Sequence, residues 1–304
     1  MKPIIIALAG PTASGKTDLA IDLAQRLNTE IISFDSRQFY HELNIGVARP
    51  TPEQLHLATH HFIACKSIHT PYSAASFATD ARKKITDILQ NKEYVILCGG
   101  TGLYLKAILE GLSQLPEIST EVRESVEKIW RMQGLEGLYR IIKQIDPEAI
   151  AQLDTQNPAR MKRATELLLL AQNQSLKEIY SHQPDPIPFD WKIYHLNPDR
   201  QVLYSRIEQR TDTMIAHGLI DEVVQLLPMC DLPLLKTVGY TEIFDYLKGN
   251  LTLNDAVALI KQHTRNYAKR QVTWFKNKTQ ATFLHPQNAA DFILNDLSDQ
   301  RSEY

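Results

Sequence analysis

The spacing of apolar and polar positions changes character along this chain. Over the first 112 residues, short continuous apolar runs alternate with stretches of helical period. Pro3-Ile4-Ile5-Ile6-Ala7-Leu8-Ala9 is apolar throughout, the pattern of a strand buried on both faces of a parallel sheet. Residues 17–27 follow with Leu19, Ala20, Leu23, Ala24 and Leu27 on one helical face. The same rhythm predicts a strand at 30–34, a third candidate strand at 61–64, a helix at 72–91, a strand at 94–98 and a helix at 101–111. Such alternation predicts a doubly wound α/β fold, which binds its ligands at the carboxyl ends of the strands.

From about residue 116 only helical spacing remains. Segments 121–131, 135–144 and 159–172 read as helices, and no convincing strand falls within 119–180. Pro184-Asp185-Pro186-Ile187-Pro188 reads as a hinge. A strand at 191–196, amphipathic helices at 199–216 and 256–276, and a short strand at 281–284 then resume the sheet pattern. The expected organisation is an α/β core built from 1–115 and 191–304, interrupted by a helical insertion at 116–190.

Composition adds exclusions. At 43% hydrophobic and 22% charged over 304 residues, the chain is of the ordinary globular kind. A net charge of −2 excludes a globally basic nucleic-acid binder, though not a local basic face. No apolar stretch approaches the roughly 18–20 residues of a membrane helix. The N-terminus runs straight into a strand, so no signal peptide is expected. Cys65, Cys98 and Cys230 are widely spaced without C-x-x-C, which fits a reducing cytoplasm and argues against structural zinc. His56 and His60 are four apart, but no Glu follows His56, so the pair, with His61 beside it, gives no metal motif.

The chemistry concentrates at the ends of the strands. Gly10-Pro11-Thr12-Ala13-Ser14-Gly15-Lys16-Thr17 satisfies G-x-x-x-x-G-K-[ST], between a strand and a helix as a phosphate loop requires. Its backbone N–H groups and the helix N-terminus favour phosphate oxygens. Lys16 would reach the outer phosphate and the Thr17 hydroxyl would hold Mg²⁺. The core is therefore expected to be P-loop NTPase-like. The strand at 94–98 ends in Gly99-Gly100-Thr101-Gly102, where a Walker-B strand would end in Asp. These glycines suggest close backbone approach to a ligand, with the Thr101 hydroxyl aimed at it. The second strand does end in a carboxylate, Phe34-Asp35-Ser36-Arg37-Gln38, and Asp35 suits a general base or a magnesium-associated group; a helix N-cap is the plainer alternative.

Basic residues cluster three times. Arg160, Lys162 and Arg163 follow Asn157-Pro158, and Arg200, Arg206 and Arg210 lie on the helix after Pro198. The latter could clamp a diphosphate or simply be surface. Residues 256–290 contain no Asp or Glu, and Lys261, Arg265 and Lys269 repeat every four residues, with Tyr267, Trp274 and Phe275 interleaved. This stripe reads equally as a phosphate-contacting face for RNA or as a solvated helix face.

Taken together, these pieces resemble one family, the tRNA dimethylallyltransferases, also called tRNA isopentenyl transferases. The resemblance runs from residue 4 to about 276. It is carried by the phosphate loop, Asp35-Ser36-Arg37-Gln38, Asn44-Ile45-Gly46-Val47-Ala48-Arg49-Pro50, His60-His61, Tyr72-Ser73-Ala74, Gly99-Gly100-Thr101-Gly102-Leu103-Tyr104, Asn157-Pro158-Ala159-Arg160, Val238-Gly239-Tyr240, Thr264-Arg265 and Lys269-Arg270-Gln271-Val272-Thr273-Trp274-Phe275. Val47 and Arg49 stand where Thr and Lys are usual, and Thr165 and Thr237 are also atypical.

The resemblance implies transfer of a dimethylallyl group from dimethylallyl diphosphate to N6 of the adenosine 3′-adjacent to the anticodon, in tRNAs reading codons that begin with U. It implies a cytoplasmic enzyme, acting as a monomer with Mg²⁺, on the tRNA anticodon stem-loop. Asp35 would be the base, Thr101 would orient the amine or a phosphate oxygen, Lys16 would stabilise the leaving group, and Arg210 would be a second diphosphate clamp. The residues implied to contact tRNA are Asp35, Ser36, Arg37 and Gln38; Thr101; Arg123; Ala159, Arg160, Met161, Lys162 and Arg163; Lys236, Thr237, Val238, Gly239, Tyr240 and Thr241; and Lys269, Arg270, Gln271, Val272, Thr273, Trp274, Phe275 and Lys276. A small-molecule P-loop kinase explains the loop but neither the acid-free C-terminal stretch nor GGTGLY. A non-catalytic RNA-binding protein would keep its RNA affinity without Lys16, Thr17 or Asp35.

Overall fold

In the computed structural model, which describes residues 2–70, 72–113, 115–171, 174–181 and 185–302 (the last three without side chains), six strands form one parallel sheet. They are β1 (Ile4–Ala9), β2 (Ile31–Ser33), β3 (His60–His61), β4 (Tyr94–Gly99), β5 (Asp190–Leu196) and β6 (Thr282–Leu284). Their order across the sheet is β3-β2-β4-β1-β5-β6. Pro184 of the expected hinge and Gln172 at the end of an expected helix lie outside the described residues.

β1 sits between β4 and β5, and all six of its residues are buried, which is why it reads as an unbroken apolar run. Alternation splits it between two cores. Ile5, Ala7 and Ala9 pack with Phe34, Phe39, Phe77, Leu105 and Phe275 on one face. Ile4, Ile6 and Leu8 pack on the other with Ala20, Leu23 and Ala24 of the helix Lys16–Arg26 and with Ile293 and Leu297 of the C-terminal helix Ala289–Ser302. The third strand is only two residues long and begins one residue before the expected 61–64.

The helices Ala74–Leu89 and Leu253–Lys278 start where Ser73 and Thr252 accept hydrogen bonds from the N–H of Ser76 and Asp255. Leu219–Leu226 and Tyr240–Leu247 are further helices that the sequence pattern did not single out.

The chain divides into two compact units: residues up to Leu109 with those from Ile187 onward, and Glu110–Pro186. The second is all-helical among its described residues. Thr120–Ile145 is broken at Gly134, whose φ of 60° and ψ of −150° interrupt the helical backbone between the two expected segments. Asn157 caps Pro158–Leu170 by accepting from the N–H of Ala159 and Arg160. Val126, Leu138, Ile142, Met161, Leu167 and Leu168 form this unit's own core. Among the described residues no helix is long and apolar enough to cross a membrane.

Candidate active site

Three loops leave the carboxyl ends of neighbouring strands. The phosphate loop follows β1, the turn Gly99-Gly100-Thr101-Gly102 follows β4, and Asp35-Ser36-Arg37-Gln38 follows β2. The registers Ala9↔Gly99 and Ser33↔Cys98 bring the three exits to one edge of the sheet. A fourth wall comes from the helix Arg200–Ala216, which follows β5.

In the phosphate loop, the Lys16 Nζ donates to Pro11 O at 2.6 Å and approaches Ser14 Oγ at 3.5 Å, so the ammonium is folded onto the loop. Burial pushes the Lys16 pKa down to about 8; Arg210 adds to the fall, while Cys98 and Asp35 oppose it. These mutual influences put Lys16, Asp35 and Arg210 in one electrostatic neighbourhood. Cys98 itself is pushed up to about 11 by burial and is an inert thiol. The Arg206 Nη1 lies 4.0 Å from where a Cβ on Gly15 would stand, so this arginine reaches the loop. Arg210 retains exposed surface, yet its pKa is lowered, mainly by desolvation and further by Arg206, as for a cation on the wall of a cleft. The Thr17 hydroxyl has no hydrogen-bond partner among the described residues.

Asp35 accepts from the Arg37 N–H through Oδ1 at 3.0 Å, an Asx turn that aims the carboxylate while leaving Oδ2 without a partner among the described residues. The Ser36 N–H donates to Thr101 Oγ1 at 3.3 Å, tying this loop to the turn after β4. Gln38 donates to Val47 O and Ala48 O and accepts from Ser33 Oγ, so its carboxamide holds the 44–50 segment and is consumed internally. Arg37 has no ion-pair partner among the described residues.

Two groups in this neighbourhood escaped the sequence reading. Tyr267, noted there only as an interleaved aromatic, lies close enough to Thr101, Asp35 and Arg37 for all three to influence its phenol. Although the residue is 37% exposed, desolvation of its phenol pushes the pKa up to about 12, with Asp35 adding and Arg37 opposing. Glu222 accepts from the N–H groups of Asn44, Ile45 and Gly46 at 3.1, 2.7 and 3.1 Å and from the Tyr240 hydroxyl at 2.6 Å. Nothing in sequence spacing links a glutamate on a short helix to a loop some 180 residues earlier.

The residues implied to contact tRNA divide by exposure. Lys236, Thr241, Lys269, Arg270, Thr273 and Lys276 are exposed, as are Arg123, Ala159 and Arg160 in the helical unit. Thr237, Val238, Val272, Trp274 and Arg163 are half-buried, Arg163 beside Glu166. Met161, Gly239, Tyr240, Gln271 and Phe275 are buried and hold the fold. Lys162 pairs with Glu127 at 2.6 Å and covers the Trp130 ring. The stripe on the long helix is not a free face: Lys261 pairs with Asp212 at 2.6 Å, Arg265 with Glu208 at 2.8 Å, and the Lys269 charge lies near the Tyr204 phenol. All three partners belong to the helix Arg200–Ala216. His61 pairs with Glu30, and His60 Nδ1 lies 2.8 Å from Ala58 O. No group of three His, Cys, Asp or Glu side chains able to hold a metal occurs among the described residues.

A parallel sheet with a phosphate loop at its centre and a carboxylate loop two strands away defines a P-loop protein of the α/β class. Residues 38–278 match the model of the IPP transferases, and the chain belongs to that family. A relative from Salinibacter ruber named tRNA dimethylallyltransferase is 40% identical over 276 residues, covering 90% of this chain and 85% of its own. One of the same name from Chlorobium chlorochromatii is 42% identical over 282 residues, covering 90% and 91%. The solved tRNA isopentenylpyrophosphate transferase from Bacillus halodurans superposes with a TM-score of 0.73 at 34% identity, covering 99% of this chain and 98% of its own.

Proposed function

We propose that this protein transfers the dimethylallyl group of dimethylallyl diphosphate to N6 of the adenosine 3′-adjacent to the anticodon, in tRNAs reading codons that begin with U. The observation that carries this reading is the convergence of Lys16, Asp35 and Thr101 at one sheet edge, with the phosphate loop near a carboxylate whose Oδ2 has no partner among the described residues.

The diphosphate would lie on the N–H groups of residues 13 and 15–17, since those of Thr12 and Ser14 go to Gln271 Oε1 and Pro11 O, with Lys16, Arg206 and Arg210 around it. The bond between the allylic carbon and its oxygen breaks, and the electron pair leaves with the diphosphate. Lys16 and the arginines stabilise that charge as it develops. The N6 lone pair forms the new C–N bond, and the proton lost from N6 passes to Asp35. Exocyclic amines are weak nucleophiles because the lone pair is delocalised into the ring, so proton removal concurrent with bond formation is what a carboxylate can add. Thr101, held by the Ser36 N–H, orients the amine.

The donor set suits Mg²⁺: an unpartnered Thr17 hydroxyl beside a diphosphate site, without a protein cage, matches a small hard cation that keeps its waters. Thr17 and diphosphate oxygens would hold it, where it would neutralise charge on the leaving group. For tRNA, the exposed Arg270, Thr273 and Lys276 and the helical unit's Arg123 and Arg160 are the available contacts. The target base would leave its stack, an extrusion made easier in a single-stranded loop.

Mass spectrometry tests the reading. With Mg²⁺, dimethylallyl diphosphate and an unmodified anticodon stem-loop, the adenosine 3′ of the anticodon should gain one dimethylallyl group. No gain, alongside turnover of ATP with a small acceptor, would make the protein a kinase instead.

A further inference from the structure

Gln271 lies on the helix Leu253–Lys278 between the exposed Arg270 and Thr273, yet it is only 7% exposed. The Thr12 N–H of the phosphate loop donates to Gln271 Oε1 at 3.0 Å. Gln271 Nε2 in turn donates to Gly100 O at 3.0 Å. The two bonds fix the carboxamide: flipped, it would set an N–H against an N–H and an oxygen against a carbonyl. One side chain therefore spans the loop after β1 and the turn after β4.

The glycines of that turn are what let it do so. A Cβ on Gly100 would stand 2.1 Å from Gln271 Nε2, and one on Gly102 would stand 2.1 Å from the Trp274 ring. Gln271 and Trp274 are three residues apart, neighbours on one helix face. The turn is glycine-rich because this helix enters it, in addition to any ligand it meets.

Resting on the transfer reading above, we propose that Gln271 is a positioning residue that sets the spacing between the diphosphate site and the turn carrying Thr101, and that it makes no contact with tRNA. The loops have no other side-chain bridge of this kind among the described residues. Losing both hydrogen bonds lets the phosphate loop and Thr101 drift relative to each other. A displacement of about 1 Å between reacting groups can lower a rate about 100-fold.

The test is Gln271→Met, which keeps length and loses both hydrogen bonds, and Gln271→Glu, which keeps the acceptor for Thr12 and loses the donor to Gly100. Three quantities are measured: the KM and kcat of transfer, pyrophosphate affinity by calorimetry, and stem-loop affinity by filter binding. For Gln271→Met, kcat should fall at least tenfold and pyrophosphate affinity several-fold, while stem-loop affinity stays within about twofold. Gln271→Glu should keep pyrophosphate affinity better than Gln271→Met while still losing kcat. Stem-loop affinity that falls tenfold at unchanged kcat would make Gln271 an RNA contact and overturn the proposal, as would wild-type kinetics in Gln271→Met. If Gln271→Met fails to fold, the split between the two activities in Gln271→Glu decides. A wild-type protein that binds pyrophosphate but transfers nothing would overturn the functional reading instead, with the calorimetric comparison still testing Gln271.

Discussion

Thr101 accepts a hydrogen bond from the backbone N–H of Ser36 at 3.3 Å, so the hydroxyl after β4 and the carboxylate of Asp35 next to Ser36 move as one piece. This link crosses two adjacent strands and makes the acceptor half of the site a unit. Asp35, with an Asx turn on one oxygen and the other without a partner among the described residues, is thereby presented as the proposed base requires.

Replacing Asp35 by Asn keeps the shape and removes the carboxylate proposed as the base. The transfer rate at saturating substrates should fall on the order of 10²–10⁴-fold, the usual scale for losing a general base. Stem-loop affinity should stay within a few fold. Single-turnover mass spectrometry and filter binding measure the two, and a variant that transfers at the wild-type rate removes Asp35 from the chemistry.

On the proposed function, Lys16 should make diphosphate binding pH-dependent. Its pKa is about 8 in the unliganded protein, against an ordinary 10.5. Below pH 8 the ammonium is charged and ready; above it, the free protein loses the proton that the bound state needs. Beyond the titration of pyrophosphate itself, which any variant shares, the Kd should rise above pH 8 toward a limit of about tenfold per pH unit. In Lys16→Arg the guanidinium stays protonated throughout, so calorimetry across pH 7–9.5 should show a flatter profile. Equal slopes in both proteins would assign the pH dependence to another group.

Among the basic residues, the ones with acidic partners should be distinguishable from the rest. Lys261 and Arg265 are paired with Asp212 and Glu208, whereas Arg270 and Lys276 are exposed, Arg270 near the Tyr267 ring. Arg270→Ala with Lys276→Ala should reduce the log–log salt slope of stem-loop binding by about one unit per lost phosphate contact. Lys261→Ala with Arg265→Ala should leave the slope unchanged. The reverse pattern would move the RNA to the stripe of Lys261, Arg265 and Lys269.

That pairing shows where sequence pattern stops. The β1 run, the loop at Gly10–Thr17 and the carboxylate at Asp35 were all legible, because a strand buried on both faces and a phosphate loop are local patterns. The break at Gly134 was visible as a gap between two helical segments. The helices Leu219–Leu226 and Tyr240–Leu247 are only eight residues each, too short for periodicity to declare. The roles of Glu222 and Gln271 depend on partners about 180 and 260 residues away, and no local spacing encodes them. Likewise, a stripe of Lys and Arg looks free until the helix it packs against supplies its acids.

His195 carries the last consequence. It is fully buried on β5, opposite Ala9, with ring centroids 4.5 Å from Phe283 and 5.2 Å from Phe275. Neither ring nitrogen has a hydrogen-bond partner among the described residues. Burial lowers its pKa to about 4, and the nearby Lys16 adds to the fall. Below about pH 6.5 the unfolded chain takes up a proton that the folded chain refuses. Stability is then lost progressively down to about pH 4, on the order of 3 kcal/mol in all. His195→Leu keeps an apolar side chain of similar size and has nothing to protonate, so its unfolding midpoint in urea should fall less steeply between pH 6.5 and 4.5 than that of the wild type. At pH 7.5 the variant should be at least as stable, because an unsatisfied buried imidazole is exchanged for hydrocarbon. Parallel pH profiles for the two proteins would mean that the imidazole gains a proton acceptor or water in solution.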